Sequence, residues 1–565
     1  MTVGDDDGAS LGDGEWLIRD EAARTYVVGA TRGVRSLVES TLGPRGMEKL
    51  VDTYDHQDEP ETVVTADAGE LIDAIERGDG FNHPVAALFV DSVDSIQRGL
   101  HDGGTTAVIL ASELVERGAA LVERGVHPGS VVVGYAMASD RAGRVLDALA
   151  RPLESDDRDA LRRVAATSMT ADLDPSLRRA YARVVADAVR GLRDASDDGW
   201  LDTDYVSVRT ARGEPHRVYR GQIVRRRPGQ HEASRANSLE FDWTPAVPRP
   251  VADATVAVLE RGIDVEETAT SLGGKRDSGV ELRSASAVAE YASGRDAAIE
   301  AVADRLADLG VDVLVAQAEL NGPVRSALSA RGVAVVDRVH YPKSDIYRVA
   351  RATGAQVVAH VDDLAPSKLG RAGRVRERRV GDEKWAYFED CRGGVFTIVV
   401  DAGTATGLRK RERLVSDALE VAAVAAMDEQ VLPGAGAPAL AVARDVRHFA
   451  PSVAGREQLA VEAFADALEA VPSALARNAG SDPLDSLADL RTAHDGAGTS
   501  PAPIGFDAET GEPVDAWAAG IVEPRRIFSQ AVETAVAAAE RLLTIDAVVY
   551  PGVDLGAFSP RTEHD

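Results

Sequence analysis

Cysteine is all but missing from the chain: Cys391 is the only one in 565 residues. A lone thiol excludes an internal disulfide and any Cys-rich metal centre, and it suits a reducing compartment. Lysine is nearly as scarce, with six among the 63 basic side chains. Positive charge is short overall, because 92 acidic residues leave a formal net charge of −29. A field that negative repels phosphate backbones and anionic bilayers, which argues against nucleic acid or a membrane surface as the main partner. No apolar run approaches the roughly 18 residues of a membrane span. Residues 1–14 lack the basic and apolar regions of an export signal, so a soluble cytoplasmic protein is expected.

What the chain does contain is globular. Hydrophobic residues make up 44% and charged residues 27%, a balance that buries a core rather than staying disordered. The length allows two to four domains. The acidic, lysine-poor surface resembles that of proteins working in high salt. A GC-rich genome that favours arginine codons produces the same bias, and both can hold.

Hydrophobic spacing predicts a long helix over 15–40, stopped by Gly43-Pro44, then a short β run at 62–65. Further helices are expected over 84–98 and 105–124, and the stretches 128–152 and 158–194 contain further strong helices. The middle third changes to short strands at 217–224 and 255–259. Helices at 286–309, 324–331 and 345–353 then alternate with strands at 311–317, 333–339 and 356–359, which predicts an α/β unit with partly parallel strands. After a strand at 395–400, Ala-rich helix returns from 406 and dominates to about 546. Helical ends around an α/β middle imply a domain inserted into a parent that is split in sequence. A flexible loop is expected at 493–503, and a frayed tail over about the last ten residues.

The best local chemical signal is Asp102-Gly103-Gly104-Thr105-Thr106 at a helix start. Glycines let backbone N–H groups approach an anion, a helix N-terminus attracts phosphate, and an adjacent carboxylate can hold Mg²⁺. The same residues also read as an ordinary turn with an N-cap. The turn from Thr41 to Gly46 is, by itself, only a loop. No GxxxxGK[ST] pattern occurs, which excludes a P-loop nucleotidase. His83-Pro84 and His127-Pro128 lack metal-ligand spacing and read as turns or helix starts. Arg225-Arg226-Arg227 reads as a solvated strand edge, and Cys391 as structural.

The order of the pieces carries more than any one of them. TLGPRGMEKLVD (41–52), VVTADAG (63–69), HPVAALFVDSV (83–93), DGGTTAVILASELV (102–115) and HPGSVVVGYAMA (127–138) are followed by VRERRVGDEK (375–384) and RERLVSDALEV (411–421). LPGAGAPAL (432–440) and GFDAETGEPVDAWAAGIVEPRRIFSQAVETA (505–535) complete the series. In order and spacing, over nearly the whole chain, this resembles the thermosome-type group II chaperonins. The resemblance implies a mixed α and α/β fold with three domains: an equatorial domain at 1–150 and 428–565, an intermediate domain at 151–216 and 384–427, and an inserted apical domain at 217–383. It also implies a subunit of a double-ring, ATP-driven folding chamber, homo- or hetero-oligomeric with paralogues, that binds unfolded clients.

By motif match, the turn of Thr41, Leu42, Gly43 and Pro44 and the amides of Gly103, Gly104, Thr105 and Thr106 would wrap the phosphates of ATP. Asp102 would hold Mg²⁺, and Asp67 and Asp417 would position the attacking water. Gly434, Ala435, Gly436 and Asp507 would line the adenine, and Glu523 would hold the ribose. Several positions depart from the family pattern. His101 replaces a glycine beside the metal ligand, and Gly104 replaces a threonine. Ala68 puts a Cβ where a flexible turn is usual, and Ala435 replaces a glycine. Asp172 aligns with a phosphate-sensing lysine, and Asp401 falls where an arginine is common. Alanines in Ser286–Gly294 thin the apolar face of the apical helical protrusion. A slow ATPase is therefore expected. The alternatives are a ring subunit that binds nucleotide with little hydrolysis, or a scaffold that keeps the fold without folding clients.

Overall fold

The computed structural model describes residues 9–12, 15–54, 60–78, 80–81, 83–100, 102–154, 157–170, 173–226, 245–263, 285–339, 344–381, 383–401, 407–496 and 501–550. They form two compact units, one from residues 1–182 with 416–565 and the other from 183–415. The combination of helix with mixed sheet agrees with the expected fold class.

The first unit is helical and centres on Gly104–Glu123. Apolar residues cover almost its whole circumference, and Val108, Ile109, Leu110, Leu114 and Val115 are each at most 2% exposed. A helix apolar on all sides must be surrounded. Its neighbours are Asp20–Val38, Glu457–Leu468 and Arg525–Leu543. Ala107 packs on Ala531, and a methyl at Gly118 would fall 2.5 Å from Leu543 Cδ1. Contacts that advance together along both chains make the two helices parallel, so Gly104–Glu123 and Arg525–Leu543 start at the same end. One core, including Val27, Phe89, Phe464 and Phe528, joins the two sequence segments of this unit.

The second unit holds a nine-stranded mixed sheet. Strands Val251–Leu259, Val313–Ala316 and Ala334–Val336 are parallel, while Gly370–Val380, Glu383–Glu389 and Arg217–Arg226 pair antiparallel. Side chains alternate between faces with period two. Ala257, Leu259, Leu314 and Ala316 meet helices Ala285–Asp308 and Gly322–Ala330. Val256, Val258, Val313 and Val315 meet Ser344–Thr353 on the other face. Helices on both faces explain why these strands are apolar throughout.

Three local expectations are corrected. The segment 15–40 is not one helix: Glu15–Arg19 is a strand paired antiparallel with Ala547–Tyr550, and the helix begins at Asp20. Its residues alternate within a sheet, which a helical count over apolar positions does not separate. The helical content expected within 158–194 falls in Arg158–Ser168 and Pro175–Ala195, with Asp174 Oδ1 accepting the Ser176 N–H at 2.8 Å where proline starts the second helix. In the loop expected at 493–503, helix Pro483–Gly496 runs on, and buried His494 bonds the Ile504 carbonyl oxygen through Nε2 at 2.7 Å. Residues 497–500 and the tail from 551 lie outside the described residues.

The third correction is electrostatic. Arg226 is 7% exposed, inside the sheet, and pairs with Asp337 at 3.3 Å and with Glu377. Arg225 pairs with Glu412 at 3.5 Å, while Arg227 lies outside the described residues. This stretch is therefore no solvated edge, because it pairs with strand Glu383–Glu389, Arg226 is buried and carboxylates answer the charge. A second buried pair joins Arg209 Nη2 to both oxygens of Asp345 at 2.6 and 2.7 Å, with Gln222 Nε2 at 2.9 Å from Oδ1. Burial raises the Asp345 carboxyl, and Arg209 opposes that rise. Arg209→Met, which strands the carboxylate, should destabilise the second unit by about 3–5 kcal/mol in urea unfolding. Arg209→Met with Asp345→Leu should recover most of that loss.

Candidate active site

Two parallel helix starts define the site. Gly103, at φ 82°, caps Gly104–Glu123 from the left-handed region, where a side chain other than glycine is strained. Its N–H donates to Asp102 Oδ1 at 2.6 Å. Thr105 and Thr106 follow in the first turn of that helix. Next to the start of Arg525–Leu543, Glu523 lies in strand Val522–Pro524, opposite Leu432 of strand Gln430–Pro433. Free N–H groups and aligned peptide dipoles at both helix starts favour an anion here.

Carboxylates nevertheless collect at this end. Burial pushes Asp102 up to about 6, the nearby charge of Asp67 adds to the rise, and the Gly103 N–H opposes it. Burial, with the charge of Asp102 adding to it, pushes Glu523 up to about 8. Among the described residues, no lysine or arginine makes an ion pair with Asp102 or Glu523. Crowded carboxylates without a counter-charge form a donor set suited to a hard cation. No three His, Cys, Asp or Glu side chains among the described residues form a ready metal cage.

Asp67 caps helix Ala68–Arg77, accepting the Glu70 N–H at 2.7 Å, while its own N–H donates to Thr65 Oγ1 at 3.0 Å. Ala68 is the first helical residue, so its Cβ is accommodated and the expected conflict with a flexible turn does not arise. The turn from Thr41 to Pro44 follows a single 3₁₀ turn, Glu39–Thr41. Gly43 sits at φ 81°, and a methyl there would fall 2.5 Å from Leu475 Cδ2.

A second turn faces the strand that carries Glu523. The Gly434 N–H donates to the Ile521 carbonyl oxygen at 2.8 Å, and the Ala435 carbonyl oxygen accepts the Phe506 N–H at 2.9 Å. Asp507 follows Phe506 and caps the Glu509 N–H at 2.8 Å. Ala435 is held at φ 59°, beside Gly436 at φ 75°. The left-handed region costs a β-carbon about 1–2 kcal/mol, so the alanine that replaces glycine is strained as well as bulkier. Asp417 stands on helix Gly407–Asp428, which passes from the second unit into the first. His101 and Asp172 lie outside the described residues. The histidines behave as helix starts: His127 Nδ1 accepts the Gly129 N–H at 3.0 Å, and His83 stacks on Tyr26 with centroids 4.2 Å apart.

Comparison with known proteins identifies the family. The TCP-1/cpn60 chaperonin family profile matches residues 34–552. The chain belongs to that family. This chaperonin is 34% identical to thermosome subunit alpha of Halobacterium salinarum, over 94% of the chain and 89% of the relative. It is also 34% identical to a thermosome subunit of Methanopyrus kandleri, over 92% and 90%, and to thermosome subunit 1 of Haloferax volcanii, over 96% and 91%. It is a group II chaperonin subunit, an ATPase coupled to protein folding that works in an oligomeric ring and handles client proteins. Among the described residues no helix is long and apolar enough to cross a membrane.

A carboxyl raised by folding binds its proton more tightly in the native state than in the unfolded chain, so stability falls as pH rises between the two values. For Glu523 that window runs from the ordinary value of 4.5 to about 8. Glu523→Gln should therefore melt higher than the parent in metal-free, nucleotide-free buffer. The difference should be small near pH 5, grow towards pH 8 and level off above it. Differential scanning calorimetry across that range checks the sign.

Proposed function

We propose that the carboxylates at the two helix starts and the neighbouring glycine turns form a Mg-ATP site that drives a folding cycle. The observation that carries this reading is the gathering of Asp67, Asp102 and Glu523, from distant parts of the chain, where two helices begin in parallel. Bound Mg²⁺ would supply the positive charge that neutralises the phosphate oxygens and the crowded carboxylates. Asp102 would hold the metal. The turn of Thr41–Pro44 and the amides of Gly103–Thr106 would bind the phosphates, with Gly104 giving up one hydroxyl. Asp67 and Asp417 would orient the attacking water and accept its proton. The turn Gly434–Gly436 and Asp507 would line the adenine, and Glu523 would hold the ribose.

Around this site the chain would divide into equatorial (1–150, 428–565), intermediate (151–216, 384–427) and apical (217–383) parts, two subunit rings stacking into a chamber built from identical or paralogous copies. The acidic, lysine-poor composition supports a cytoplasm of high salt, where a strengthened hydrophobic effect would offset a modest apolar grip on clients. The segment matched to the apical protrusion, Ser286–Gly294, falls within helix Ala285–Asp308. A nucleotide-binding subunit with little ATPase activity is the less favoured reading. The first test is steady-state phosphate release with Mg²⁺ in about 2–3 M KCl, a strongly screened range. Asp102→Ala and Asp417→Ala should each lower turnover by about 10²-fold or more. Asp417→Ala should still bind nucleotide. Turnover unchanged in both variants would overturn the assignment.

A further inference from the structure

The turn at 41–44 is closed by its neighbours in sequence: the Leu42 N–H donates to Glu39 O at 3.2 Å, the Met47 N–H to Ser40 O at 2.7 Å and the Thr41 hydroxyl to Val38 O at 2.7 Å. Further support comes from helix Ala470–Asn478, more than 400 residues away. Asn478 Nδ2 donates to two carbonyl oxygens at once, Glu39 O at 3.0 Å and Leu42 O at 2.9 Å. The Glu39 side chain is itself fixed, by Arg35 at 3.0 Å and by Arg477. The helix does not need Asn478 to close it. Gly480, at φ 83°, bonds back to Arg477 O, and the Ser481 N–H reaches Ala476 O at 2.9 Å. The carboxamide is thus released from capping and spends both N–H groups on the turn.

One helical turn earlier, Leu475 lies under two glycines. A methyl at Gly43 would fall 2.5 Å from its Cδ2, and one at Gly436 would fall 3.4 Å from its Cδ1. Leu42, Leu440, Leu475 and Phe506 share one small apolar cluster. The phosphate-side and adenine-side turns therefore rest on the same face of the same short helix, and Asn478 ties that helix to the backbone of the 39–42 stretch by two side-chain hydrogen bonds.

We propose that Asn478 is a positioning residue, which sets the Thr41–Pro44 turn at the spacing from the Gly434–Gly436 turn that one nucleotide requires. The proposal rests on the reading of both turns as nucleotide-binding. Asn478 touches no ligand in this scheme. Its effect passes through the carbonyls of Glu39 and Leu42, which fix the direction of the Glu39–Ser40 and Leu42–Gly43 peptide groups. Asn478→Asp keeps the shape but replaces two donors with a charge facing two carbonyl oxygens, which costs more than losing the bonds alone.

Titration calorimetry of Mg-ADP against the full chain tests this, with a thermal melt run on every variant. Asn478→Asp should weaken Mg-ADP binding by about ten-fold or more, and Asn478→Ala, which adds no charge, should do the same should the first variant not fold. Arg477→Ala, which removes only the side-chain pair to Glu39, should stay within about two-fold. A folded Asn478→Ala with a lowered melting temperature but unchanged affinity would overturn the proposal and leave Asn478 a purely structural residue. Gly43→Ala separates the two ideas. Weakened binding in Gly43→Ala with normal binding in both Asn478 variants would sink the positioning role alone. Normal binding in Gly43→Ala would sink the phosphate-turn reading and the proposal with it.

Discussion

Helices Gly104–Glu123 and Arg525–Leu543 come from opposite halves of the chain and lie parallel, with Ala107 against Ala531 near their starts and Gly118 under Leu543 near their ends. Small residues at the contact let the backbones approach closely, so neither helix can shift along the other without a clash. The carboxylates at the two helix starts depend on this pair. It sets Asp102 and Gly103 at one start and Glu523 at the other. Two dipoles that would otherwise oppose each other in an antiparallel pair here reinforce each other at one end.

That arrangement carries a cost that the free protein must bear. Helix starts attract negative charge, but the negative charge of this chain is attached to it, recessed and crowded, so Asp102 and Glu523 hold their protons far more tightly than free carboxyls do. The same crowding makes the site responsive to a cation and to the anions that accompany it. A site already neutralised by its own lysines or arginines would gain less from binding them.

Much of the fold was legible in the sequence because its signals are local. The strands of the second unit alternate with helices in a rhythm that only a sheet covered on both faces produces. Helix starts at Pro84, Gly104 and Pro128 are marked by His-Pro or Gly-Gly pairs. The errors fall where a distant partner decides. Glu15–Arg19 is a strand because 547–550 lies beside it, and Arg226 is buried because Asp337 and Glu377 receive it. Neither partner is visible from a window of twenty residues. For the site, the ordered motifs gave the residue types, while local spacing left Asp102-Gly103-Gly104 indistinguishable from a common turn. Asn478 was passed over altogether, because Asn-Ala-Gly at a helix end reads as an ordinary stop signal and its bonds reach back to residues 39 and 42.

The single thiol has a practical consequence. Cys391 is 2% exposed, and burial pushes it up to about 12, so almost none of it is thiolate at neutral pH and alkylating reagents find little to attack. The native chain is therefore close to a blank background for site-directed labelling. A cysteine placed at an exposed aromatic such as Trp200 or Tyr347, at 68% and 51% exposure, would be the dominant reactive thiol. Fluorescent dyes or spin labels could then follow the second unit, which holds both positions, through a nucleotide cycle without first removing the native residue.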